Sequence, residues 1–197
     1  MKDYILYDSS GEIQYSGSCQ DGDFDLQDRD GLTLIEGSGS YFDHYVLNGV
    51  LTPYSPTEAA LKLHRPMYPA TWNNASMSWD DLRSLAEIKV TKWNEIKAAR
   101  TAADYSPITV GGHTFDANQE SQQKIAGAVQ LALIAGSSFT LDWTLTDNTV
   151  ETLTQAEMIQ VGVSLGQRTS SIYSTARVLR EQIEAAKTAE DVLAVVW

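Results

Sequence analysis

Residues 154–187, TQAEMIQVGVSLGQRTSSIYSTARVLREQIEAAK, decide the fold of this 197-residue chain. Thr154 and Glu157 stand three apart ahead of an apolar run. In that pattern a hydroxyl and a carboxylate cap a helix reciprocally, so a long helix is expected from Gln155 to about Lys187. Along it Met158, Gly162, Leu165, Thr169, Ile172, Ala176, Leu179, Ile183 and Ala186 follow at alternating steps of four and three. A 3.5-residue period sustained in this way is the geometry of helices packed side by side. Gly162, Thr169 and Ala176 are small or polar and let a neighbouring backbone come close. Either the helix expected over 117–135 fills this seam, or further copies of the chain do, as in a trimeric coil.

Upstream, the period is also helical. Ser78 with Asp81, then Leu82, Leu85, Ile88, Trp93 and Ile96, predicts a capped helix to about Arg100. Ile108–Val110 and His113–Phe115 flank Gly111-Gly112, a compact hairpin. Asp116 or Asn118 then caps a helix through Ile125, Val129, Leu131 and Ile134, stopped by Gly136. A short strand is expected at Phe139–Leu145, and Thr188 with Asp191 opens a last turn.

The first 55 residues read instead as β. Tyr4–Tyr7 and Ile13–Tyr15 flank a polar turn with Gly11, Leu32–Ile35 is a third strand, and Tyr45–Leu47 and Val50–Thr52 bracket Asn48-Gly49, the pair best suited to a type I′ turn. Four of the five prolines, Pro53, Pro56, Pro66 and Pro69, follow. Because proline fixes φ and restricts its predecessor, residues 56–78 are expected to be an extended connector. The expected fold is thus α+β: a small antiparallel β meander (1–55), a Pro/Trp-rich connector (56–78), and a mainly helical module (79–197) with a hairpin near 108–115 and one long helix.

Composition narrows function. The chain holds 14 basic and 26 acidic residues, net −12, and like charge opposes approach to phosphate backbones and anionic lipid. No nucleic-acid partner is expected. No apolar stretch is long enough for membrane insertion, and the acidic start does not read as a signal peptide. Charge is uneven: residues 1–60 hold 2 basic and 11 acidic groups, residues 61–100 hold 7 and 4, and residues 101–197 hold 5 and 11. A mildly basic belt therefore lies between two acidic parts. Cys19 is alone, so no disulfide framework or multi-cysteine zinc site is expected.

Gly162–Gly166 matches G-x-S-x-G, but that motif works only on a sharp strand-to-helix turn, and Ser164 lies inside the seam helix. Asp21, Asp23, Asp25, Asp28 and Asp30 resemble the start of a calcium loop. Leu26 and Leu32 occupy its glycine and glutamate positions, which excludes an EF-hand and leaves a solvated acidic loop or a looser calcium site. His44, His64 and His113 lack metal-ligand spacing. No catalytic residue, cofactor or metal is expected, and nothing argues for an enzyme. Tyr54, Tyr68, Trp72, Trp79 and Trp93 cluster around the basic belt. Such residues are common interface anchors; they either glue the connector to the helical module or dock on another chain or a sugar.

Two stretches carry a resemblance. Tyr45–Gly49, then Arg65-Pro66-Met67-Tyr68-Pro69, then Trp72 and Trp79, resemble the start of many small phage tail proteins. Trp93–Arg100, Ile108–Ala117 and Trp143 to Thr154 resemble an uncharacterised domain that recurs at the carboxyl end of phage and prophage tail proteins. The resemblance implies a non-enzymatic tail protein of a tailed phage: baseplate, tail-tip or tail-fibre-associated. It would be made in the host cytoplasm, reside in the virion and dock on other tail proteins. The alternatives are a tail-fibre assembly chaperone and a receptor- or glycan-binding module for host attachment, in either case with homo-oligomer formation open.

Overall fold

The computed structural model describes all residues, 1–197. The chain divides into two units, Met1–Arg83 and Ser84–Trp197.

In the first unit β1 (Lys2–Tyr7) and β2 (Ile13–Cys19) form an antiparallel hairpin, and β3 (Thr33–Glu36) pairs with the other side of β1. The meander is as the alternating pattern predicted. Asp8 shapes the first turn, its carboxylate accepting from the amides of Ser10 (2.9 Å) and Glu12 (3.1 Å). Gly11 completes it at φ 79°, and its carbonyl accepts from the Val46 amide at 2.8 Å. β4 (His44–Leu47) and β5 (Val50–Pro53) pair around Asn48 and Gly49, both at positive φ (52° and 77°), the geometry of a type I′ turn. Ile5, Ile13 and Val46 form the small core, with Tyr7, Ile35 and Leu51 against it.

Residues 56–78 are not an extended connector. Pro56–Leu63 form a helix, α1, with Pro56 in its first turn and a reciprocal cap between Ser55 and Glu58. Proline is tolerated there because the first amides of a helix have no partner within it. β6 (Ala70–Asn73) and β7 (Ser78–Asp81) then form a hairpin with Trp72 opposite Trp79. Ser78 and Asp81, expected to cap a helix, thus lie on a strand. The cap sits six residues on, where Ser84 and Glu87 close around the start of α2 (Leu85–Asp104). Both spacings fit a capping box, and the tryptophan pair decides for the strand.

In the second unit β8 (Ile108–Val110) and β9 (His113–Phe115) form the expected hairpin. Asn118 caps α3 (Gln119–Ala135). β10 (Thr140–Thr144) pairs with a strand the sequence reading did not foresee, β11 (Val150–Thr154). α4 (Gln155–Ala185) follows directly, with the expected Thr154–Glu157 box, and α5 (Ala189–Leu193) closes on Thr188 and Asp191.

The seam of α4 is intramolecular, with two partners rather than one. Met158, Val161 and Leu165 join a core with Ile125, Ala128 and Ala132 of α3 and the two hairpins. Ile183, with Leu179 and Ala186 beside it, joins a second core with Ile88 and Ile96 of α2 and Val192 of α5. Length explains the division: at 1.5 Å per residue α4 runs about 46 Å and α3 about 26 Å, so α3 covers only half of the seam. The small position Gly162 marks the close approach, since a Cβ there would lie 2.7 Å from a methyl of Val129.

Thr169, the polar seam position, serves the corner where α2 ends. Its hydroxyl donates to the buried Asp104 carboxylate at 2.7 Å. The Asp104 carbonyl accepts from Arg168 (2.7 Å) and Gln122 (3.0 Å), and Arg168 also donates to the Ser106 and Pro107 carbonyls. These side chains satisfy carbonyls that a helix end leaves without intrahelical partners. Arg168→Met keeps the stem and strands the carbonyls, so a loss of about 1–3 kcal/mol is expected in denaturant unfolding.

The caps also contribute to acid sensitivity. Glu58, Glu157 and Asp191 are each held below their ordinary values, first by hydrogen bonds from Ser55, Thr154 and Thr188. A carboxylate with a depressed folded pKa contributes stability above its unfolded value and loses it as pH falls. Melting temperature should therefore hold from neutrality to about pH 5 and decline below about pH 4.5, where free carboxylates titrate. Replacing all three by their amides should lessen that decline, and Asp8, Asp43 and Asp81, which are also held low, sustain the remainder.

Candidate interaction site: the aromatic belt

Of the five aromatic residues singled out in the belt, three come together in the first unit. Tyr54 and Trp72 meet edge to face at 6.1 Å between centroids, as do Trp72 and Trp79 at 5.4 Å. Tyr45 stacks on Tyr54 from the other side at 4.9 Å. Tyr54 and Trp72 are only 7% and 3% exposed. They pack the chain against itself, and Trp72 presents no open face on which a sugar could stack. Trp79 is half-buried, and its indole donates to the Leu61 carbonyl at 3.1 Å, tying β7 to α1. Tyr68 lies under the Arg83 guanidinium at 4.1 Å, which is itself fixed on Asp81. Trp93 belongs to the second unit, on α2 beside Arg180 of α4 at 5.4 Å, where Lys89, Val90, Ile183 and Glu184 line a shallow groove.

The centre of the cluster is a residue the sequence reading missed. Lys62, on α1, is 2% exposed. Its ammonium donates to the Tyr54 hydroxyl at 3.0 Å, lies 3.6 Å above the Tyr41 ring, and stands 4.9 and 5.8 Å from the rings of Tyr54 and Trp72. Glu12 Oε1, closed off from solvent, is its charge partner at 3.3 Å. Burial pushes the Lys62 pKa down while Glu12 pulls it back, and burial raises both phenols, Tyr41 and Tyr54. No periodicity reveals such a lysine, because α1 is short and its leucines point outward. The only sequence signal was the density of tyrosine and tryptophan around it.

The remaining candidates stay apart. Ser164 sits mid-way along α4, with no strand-to-helix turn around it. Asp21–Asp23 and Asp25–Gln27 form two short 3-10 turns, and the Met1 amino group pairs with Asp21 at 2.9 Å. Nowhere do three histidine, cysteine or carboxylate groups converge as a metal would require. His44 bonds Asp43, holding that carboxyl down at about 2, and His64 bonds the Ala60 carbonyl. No helix is long and apolar enough to cross a membrane. In the second unit, Leu131, Leu133 and Ile134 of α3 project into solvent, Ile134 at 83% exposure.

Residues 87–196, more than half of the chain, match the family described as Domain of unknown function (DUF4376). The chain belongs to this family. The DUF4376 stretch starts in the first turn of α2 and runs through α5, taking in both cores of the second unit. It includes the whole of the second stretch whose motifs resemble a phage tail domain, and a DUF4376 chain is consistent with a phage tail protein in general. No curated protein and no solved structure matches the chain.

Proposed function

We propose that the chain is a non-enzymatic structural component of a tailed-phage tail, placed at the baseplate, tail tip or fibre, where it docks on other tail proteins. Membership of residues 87–196 in DUF4376 carries this reading. The tail-protein resemblance of residues 45–79 supports it from a separate part of the chain. The outward Leu131, Leu133 and Ile134 add a physical reason to expect a partner, because neighbouring apolar side chains left in water favour association.

The test is quantitative mass spectrometry of density-purified particles against clarified lysate. The protein should appear in particles at a fixed whole-number ratio to a tail protein of known symmetry. Leu131→Asp with Ile134→Asp, both on the solvent side of α3, should leave the fold intact and lower that ratio. Abundance in lysate with absence from particles would overturn the structural role and support the assembly-chaperone alternative.

A further inference from the structure

Helix α1 is held down by an unexpected residue. Leu61 and Leu63 face solvent, and the one side chain that α1 buries is Lys62. Removing an ammonium from water is costly unless charge and hydrogen bonds replace its hydration. Here they do so in part: a tyrosine ring at 3.6 Å, a hydroxyl at 3.0 Å and a carboxylate oxygen at 3.3 Å surround one nitrogen, while burial still outweighs them. Aromatic faces around a cation are a recurrent recognition device for alkylammonium groups.

None of the surrounding groups belongs to α1. Glu12 ends the β1–β2 turn, Tyr41 precedes β4, Tyr54 follows β5, and Trp72 is on β6. Asn74 braces two of the rings without touching the lysine. Its carbonyl oxygen accepts from the Tyr54 hydroxyl and from the Trp72 indole (2.9 Å), and its amide donates to the Ser10 carbonyl (3.3 Å). The box is thus assembled from the sheet side.

We propose that Glu12, Tyr41, Tyr54 and Trp72 form a receptor for a primary alkylammonium group, that Lys62 is its built-in occupant, and that α1 is a releasable strap across it. A lysine side chain of a partner is the ligand that competes for the box. Charge favours such a partner, since residues 1–83 hold 5 basic and 13 acidic groups, net −8.

The probe is n-butylammonium, with 1-butanol as the uncharged control, and the readout is hydrogen exchange of the full-length chain. In Lys62→Ala, butylammonium should slow exchange at residues 40–46 and 70–74 by about tenfold, while butanol leaves it unchanged. Equal protection by butanol would reduce the box to an apolar cavity, and no protection by the amine would also overturn the receptor. Should Lys62→Ala not fold, the native chain gives the answer. Amides of Ala59–Leu63 should exchange at least about tenfold faster than those of Ile5 and Leu6, and faster still with added butylammonium. Exchange of α1 at the same rate as β1, unmoved by the amine, would overturn both strap and receptor.

Discussion

Gly11→Ala is expected to unfold the first unit. Gly11 sits at φ 79°, where a side chain costs about 1–2 kcal/mol. The larger obstacle is contact, because a Cβ would lie 2.1 Å from the Val46 carbonyl oxygen, and backbone in a strand cannot swing aside as a side chain can. Relief means moving β4 off the turn, which breaks the bond from the Val46 amide to the Gly11 carbonyl and opens a core of only three fully buried residues, Ile5, Ile13 and Val46. The sum is about 4 kcal/mol or more, comparable with the whole stability of a small domain. Hydrogen exchange should lose protection throughout residues 2–53 while the second unit keeps it. Native-like protection of β1 in the variant would show that the turn can relax in some other way.

The second large effect is Leu165→Asp. Leu165 is packed among Met158, Val161, Ala128 and Ala132, so the change removes a core leucine and places a carboxylate in an apolar cluster. The leucine alone is worth about 2–5 kcal/mol, and the unpaired charge adds to the loss. Loss of tertiary structure in the second unit is expected by near-ultraviolet circular dichroism. Val163→Asp, on the exposed side of the same helix, is the control and should fold. The pair also distinguishes the two readings of the seam: a folded, monomeric Leu165→Asp would mean that the seam joins chains instead of α2, α3 and α4 of one chain.

What the sequence revealed, and what it hid, follows from how local each signal is. The caps at Thr154–Glu157 and Thr188–Asp191, the Asn48-Gly49 turn and the hairpin around Gly111-Gly112 were all legible, because a few adjacent residues settle each geometry. The capping pattern at Ser78–Asp81 was equally local and misleading. Trp79 decided for a strand by pairing with Trp72, a partner seven residues away across a turn. β11 was missed because Val150–Thr154 alternates only weakly and runs straight into the cap of α4. Of the aromatic belt, the sequence located the residues but not their direction. Tyr54 and Trp72 turn inward around Lys62, and a lysine at the centre of an aromatic cluster violates the hydrophobic pattern on which helix reading relies.

The arrangement of α4 has a mechanical consequence. One uninterrupted rod anchors its amino-terminal half in one core and its carboxyl-terminal half in the other. No loop lies between the two anchorages to act as a fuse. Tension applied along the rod is carried by backbone hydrogen bonds in series, and a half that loses its core leaves the rod held by the other. A helix anchored in this way resists pulling as a single stiff element, with its yield point set by whichever core lets go first.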